Sequence, residues 1–240
     1  MAGIWCIRVI AAAAGLAASV WASAAPAQIV AARYEAPTTR YAHGVLGDAV
    51  EYGALVVEVS DSASVRFELP TELVFEDVAP RLWDVTGDGR PEVVVVEAHR
   101  DLGARLAVWT EKGRTASTPF IGRSFRWLAP VAAADLDGDG AIEVAYVDRP
   151  HLAKTLRVWR YAGGRLTEVA TMRGVSNHKI GWSYIIGGLR DCGSGPELMM
   201  ASGDWTNLLA VTLSGQLLSR VLGAYSANAM IEAMACRSGG

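Results

Sequence analysis

Short apolar runs separated by turn residues set the rhythm of the chain. Leu55, Val57 and Val59 alternate with Val56, Glu58 and Ser60, the period of two expected of a strand with one face turned inward. Further runs at 65–69, 73–75, 93–96, 106–109, 144–147, 156–159, 198–200 and 209–212 are rich in Val, Leu and Trp, and they are too short to stand as helices. Weaker runs at Tyr41–Leu46, Tyr184–Gly188 and Met230–Ala235 also read as strands. No long stretch carries the 3.6-residue spacing of an amphipathic helix, so a helical solenoid is not expected.

Two stretches can be laid on each other. Ala79-Pro80 recurs as Ala129-Pro130, Val108-Trp109 as Val158-Trp159, and Gly113 and Gly163 each follow four residues after the tryptophan. Between Asp84 and Asp135 lie 51 residues of register, a period that marks propellers, solenoids or arrays. About four short strands per unit is the arrangement of a propeller blade. The expected fold is all-β, a small β-propeller of about four blades, or five if a C-terminal strand at 230–235 closes the ring. Trp109 and Trp159 share one repeat position, which points to core packing rather than carbohydrate stacking.

The loop before each second strand carries the chemistry. In Asp135-Leu136-Asp137-Gly138-Asp139-Gly140-Ala141-Ile142-Glu143, acids stand at positions one, three, five and nine and glycines at four and six. Alternating oxygen donors on a tight turn can converge on one hard cation, and Ala141 offers a carbonyl at position seven. The following Val144–Val147 is strand-like, unlike the exiting helix of an EF-hand. Asp84-Val85-Thr86-Gly87-Asp88-Gly89-Arg90-Pro91-Glu92 repeats the pattern with one acid fewer, because Thr86 takes position three. A third copy is eroded, with only Asp191 and Glu197 keeping carboxylates. Either Glu197 is position nine with Leu189 at position one, or Asp191 is position one and the loop is two residues shorter. Both readings predict a turn that has lost strong Ca2+ binding.

These loops, each entering an apolar strand, resemble the FG-GAP/VCBS repeats of integrin-α-type β-propellers. The resemblance is strongest over about residues 76–170 and weaker over 40–75 and 171–240. It implies Ca2+ as the cofactor. The implied ligands are Asp135, Asp137, Asp139, Ala141 and Glu143, and Asp84, Thr86, Asp88, Arg90 and Glu92. Thr86 departs from the family pattern and weakens the first site. The bland alternative for both loops is an Asx-type turn whose aspartates cap backbone amides without metal.

Composition narrows the setting. Residues 1–27 have Arg8 as their one charge, an alanine-rich apolar run and Ala-x-Ala endings, the form of a secretory signal peptide too short to span a bilayer. Residues 28–39 read as a lead-in or an outer strand, and 40–240 as the propeller. Removing Arg8 from the 22 basic residues leaves 21 against 25 acids, which argues against a nucleic-acid partner. Cys192 and Cys236 remain after cleavage, and in an oxidising compartment they are expected to pair. Export places the protein in the periplasm or outside the cell.

No catalytic motif stands out. His43, His99, His151 and His178 share no metal-ligand spacing, and no Gly-x-Ser-x-Gly elbow occurs. The connections entering the inner strands are Tyr41–His43, Glu76-Asp77, Arg126-Trp127, Asn177–Lys179 and Ser226–Asn228. They are expected to gather at a channel mouth as a mixed polar rim for a protein, peptide or glycan. The favoured reading is a non-enzymatic binding or scaffold module with structural Ca2+. A polysaccharide-active hydrolase or lyase on the same fold is the alternative, since fold does not decide function.

Overall fold

A computed structural model of the chain describes Met1, residues 27–60 and residues 63–237. The expected signal segment therefore falls almost wholly outside the described residues. Among the described residues the architecture is all-β, with three antiparallel sheets, none closed on itself, and one short helix.

The first sheet contains β1 (Ile29–Thr38), β2 (Glu51–Val59), β3 (Val65–Glu68), β4 (Leu73–Phe75), β5 (Arg81–Trp83), β6 (Glu92–His99), β7 (Gly103–Thr110) and β8 (Gly113–Ser117). β4 bridges β2 to β6, so the first two repeat units share one sheet. Residues 29–38 form its edge strand, paired along β2. The second sheet is β9 (Leu128–Ala134), β10 (Glu143–Asp148), β11 (Thr155–Ala162) and β12 (Arg165–Arg173), joined as a meander. The third is β13 (Val175–Ser176), β14 (Gly188–Asp191), β15 (Pro196–Ser202), β16 (Asn207–Ser214) and β17 (Gln216–Ala224).

The central strands are apolar on both faces because each lies between two neighbours. In β6, Val93 and Val95 pack with Leu55, Val57 and Phe75, while Val94 and Val96 pack with Leu128 and Val144. In β10, Val144 and Tyr146 face the unit before, and Ala145 and Val147 face Leu198 and Met200 of the unit after. Period-two alternation thus serves two interfaces rather than a core and a solvent face. Trp109 and Trp159 are buried, as their shared repeat position suggested. Trp109 also donates from Nε1 to Glu97 Oε1 at 2.9 Å.

Three expected strands are not where the apolar runs placed them. Tyr41–Leu46 is an irregular strap, with Tyr41 and Val45 buried. Its Val45 carbonyl accepts from Gly181 N at 3.1 Å, tying the first unit to the fourth. The first strand of the last unit is β14 at 188–191 rather than 184–188. Met230–Ala235 is no closing strand. It belongs to helix α1 (Ala227–Met234), capped by Ser226, whose hydroxyl accepts from Ala229 N. Alanine and methionine favour helix, the serine satisfies an otherwise orphan amide, and Met230 and Ala233 bury one face against Met199 and Leu208.

Cys192 and Cys236 form a disulfide with Cα atoms 5.6 Å apart. It ties Cys236, two residues past the end of α1, to the turn between β14 and β15 of the same unit.

Candidate functional site

The two acidic loops connect first to second strands at one end of the sheets. In the second sheet Ala134 pairs with Glu143 at that end, and Leu128 pairs with Asp148 at the other. Gly138 and Gly140 adopt φ of +79° and +89°, a region glycine enters without strain, and so turn the chain back.

Around this turn the oxygens of Asp135, Asp137 and Glu143 lie within 4.8 Å of one another, the one such group of three among the described residues. Glu143 is fully buried, and burial pushes its carboxyl above the usual range. An oxygen-only set with a buried acid suits a hard divalent cation. Asp139 lies outside the group of three. The guanidinium of Arg160 is spread over the same acids, at 2.7 Å from Asp137, 2.8 Å from Asp139 and 2.7 Å from Glu143. Arg160 stands directly across the ladder from Glu143.

The first loop has the same turn and a different interior. Asp84 accepts from the amides of Gly87, Asp88 and Gly89. Glu92 Oε2 accepts from Val85 N and Thr86 N, and Asp88 pairs with Arg90. Asp84, Asp88 and Glu92 do not gather as the second set does. Amide capping is common to both loops, since Asp135 accepts from Gly138 N and Gly140 N and Glu143 from Leu136 N; what the first loop lacks is the gathering of three acids. In the third, Arg190 pairs with Glu197 across the ladder. That register puts Asp191 at position one and makes the loop two residues shorter than its counterparts. Arg190 also bonds Glu197 at 2.6 Å.

The opposite end holds what sequence spacing did not connect. His43 Nδ1 lies 2.5 Å from Glu76 Oε1. Trp127 Nε1 donates to the Glu76 carbonyl at 2.8 Å, and Tyr41 Oη accepts from Phe125 N at 2.9 Å. His151 Nε2 lies 2.9 Å from His178 Nδ1, and His178 Nε2 lies 2.8 Å from the Trp182 carbonyl. Three of the four histidines thus meet where the connections converge. Their sequence separations are large, and the repeat alignment was the only available signal.

Burial makes this end electrically quiet. It pushes His43 and His151 down to about 4, and His178 also downward. It raises Glu76 well above the carboxylate range, with Asp77 adding to the shift. Glu51 is pushed up to about 9 by burial and then by Glu76, Asp48 and Asp77. Asp77 has a partner in Arg81, whereas Glu76 Oε2 has none. A cavity of about 320 Å³ opens among His43, Phe125, Arg126, Trp127, His151 and Leu152.

Comparison with known families agrees with the loop geometry. Residues 84–146 match the model of an FG-GAP-like repeat. The matched stretch runs from the first acid of one loop through the second loop and into β10. No curated protein matches the chain. No helix among the described residues is long and apolar enough to cross a membrane.

Proposed function

We propose that the chain is an exported β-propeller-type module of about four blades that works by binding, with Ca2+ as a structural element of its best-formed loop. The gathering of Asp135, Asp137 and Glu143 within 4.8 Å on a glycine turn carries this reading. Those three would hold the ion, with Asp139 and the Ala141 carbonyl able to complete an oxygen shell. Bound Ca2+ supplies positive charge that relieves the repulsion of clustered carboxylates. Arg160 supplies that charge without it, so the ion must displace the guanidinium. Weak affinity suffices in extracellular modules. Residues 1–27 and the disulfide support export.

The test is calorimetric Ca2+ titration of the chain, with thermal melting in Ca2+ and in chelator. One binding event with a Ca2+-dependent rise in melting temperature is expected. If neither Ca2+ nor chelator changes the melt, the loops are bare turns and the metal reading falls.

The alternative, a polysaccharide-active hydrolase or lyase, draws support from the His43–Glu76 pair. A carboxyl that orients a histidine at a cavity wall is the arrangement of a general acid or base. The cavity lining offers no serine, cysteine or lysine nucleophile, so such chemistry would run through acid–base steps alone. Turnover of an anionic polysaccharide that His43→Ala abolishes would favour this reading.

A further inference from the structure

The cavity at the connection end has a definite chemical character. Its cation is Arg126, which donates from Nη1 to the neighbouring Phe125 carbonyl at 2.8 Å and makes no ion pair among the described residues. Arg149 also lines it but is already neutralised by Asp148, at 2.7 and 2.9 Å. No acidic residue lines the cavity. An anion would therefore meet one uncompensated guanidinium, the side chain best shaped to clasp a carboxylate.

The walls are apolar and exposed. Phe125, Leu152 and Ile180 are 46%, 64% and 71% exposed, and all three border the same opening. Phe125 and Arg149 sit at φ of +52° and +46°. Such backbone is disfavoured for residues with a side chain and concentrates at ligand sites. Tyr41 holds Phe125 in place by accepting from its amide, with the two rings 5.0 Å apart.

The hydrogen bonds fix which atoms a ligand meets. The Trp182 carbonyl can only accept, so His178 carries its proton on Nε2. His178 Nδ1 is then an acceptor, and His151 must donate to it from Nε2. His151 lines the cavity, and as a neutral ring it keeps an unprotonated Nδ1, a hydrogen-bond acceptor. His178 is fully buried, which keeps this relay rigid. A ligand is asked for three things: a carboxylate, an apolar body and an N–H or O–H donor. A volume of about 320 Å³ holds one such unit, at the small end of ligand cavities.

We propose that this cavity binds an N-acylated apolar amino acid by its carboxylate end. That chemistry is shared by a free N-acyl amino acid and by the C-terminal residue of a peptide. The carboxylate pairs with Arg126, the side chain lies among Phe125, Leu152 and Ile180, and the amide N–H donates to His151. This deepens the binding-module reading and rests on it, but it uses none of the Ca2+ loop residues.

The test is titration by calorimetry and tryptophan fluorescence with N-acetyl-L-phenylalanine, its primary amide and its N-methyl derivative. A tetrapeptide ending in phenylalanine, with free or amidated terminus, forms the second arm. The free acids are expected to saturate in the millimolar range or below. The amides, the N-methyl acid and the Arg126→Gln protein with the free acid should each bind at least about tenfold more weakly. Leu152→Asp, on an exposed side chain, should weaken the acid similarly while melting like the parent. Tighter binding of the tetrapeptide than of N-acetylphenylalanine identifies a peptide terminus as the source; equal or weaker binding identifies the free acid. No saturation up to about 10 mM, equal binding of acid and amide, or an unchanged Arg126→Gln affinity overturns the proposal. A chain that binds the acid but ignores Ca2+ leaves this site standing and removes only the metal.

Discussion

The two ends of the sheets both collect carboxylates and treat them in opposite ways. At the loop end, Asp137, Asp139 and Glu143 face one guanidinium, and two of the three acids are at least partly open to water. At the connection end, Glu51 and Glu76 are buried without a cation of their own, and both are held toward the protonated form. Clustered acids can ionise only where a cation or solvent answers them; otherwise burial makes the neutral form cheaper. The first end can therefore exchange its internal cation for a metal ion. The second is a neutral, rigid floor beneath a cavity.

Removing the disulfide should give the largest effect. The Cys192–Cys236 bridge spans 44 residues, for which loop-closure entropy gives stabilisation of about 3–4 kcal/mol. The double variant Cys192→Ser with Cys236→Ser should melt roughly 10 °C lower, read by calorimetry. An unchanged melt would mean that α1 holds the third loop closed without the bond.

The metal comes next. At a Ca2+ concentration about a hundredfold above its dissociation constant, binding adds about 2.7 kcal/mol. Asp135→Ala should abolish the difference between melts in Ca2+ and in chelator. Asp84→Ala should leave most of it, because only the second loop gathers three acids. Equal losses from the two substitutions would erase the distinction between the loops.

The connection end is tested by pH. The folded pKa of Glu51 is raised from 4.5 to about 9, so its favourable contribution is complete at acidic pH and is lost as pH climbs from about 4.5 toward 9. Glu51→Gln should leave stability unchanged near pH 4. It should raise stability by on the order of 2 kcal/mol at pH 8, measured by denaturant unfolding at both values. A gain that is the same at both would place the effect in packing rather than ionisation.

The smallest effect is expected at Arg160. Arg160→Gln removes the cation that competes for Asp137, Asp139 and Glu143. Ca2+ affinity should rise by roughly tenfold, about 1.4 kcal/mol, while the chelated protein melts lower. A fall in affinity would show that Arg160 orders the loop for the ion instead of standing in its place.

Much of this architecture is legible in the chain. Local chemistry decides the strands at Val93–Val96 and Val144–Val147, because a valine-rich run entered from a glycine turn has few other solutions. The same spacing located the loop acids and two remaining cysteines pointed to the bridge, while the third loop stayed open between two alignments until the pairing of Arg190 with Glu197 fixed the shorter one. Met230–Ala235 misled, since a short apolar run does not distinguish strand from helix; the Ser226 cap and the one-sided burial of Met230 and Ala233 decide it.

What the sequence determined by itself is therefore the repeating unit: an acidic turn, a doubly buried strand and a Val-Trp strand, each set by contacts within about 50 residues. Tertiary structure alone decided which units share a sheet, that the Arg160 guanidinium spreads over Asp137, Asp139 and Glu143, and that His43, Glu76, Trp127, His151 and His178 meet. Those residues come from different connections, and side chains so far apart in the chain become neighbours only when the strands beneath them pack. Register and burial, not spacing, then assign their protons and their partners.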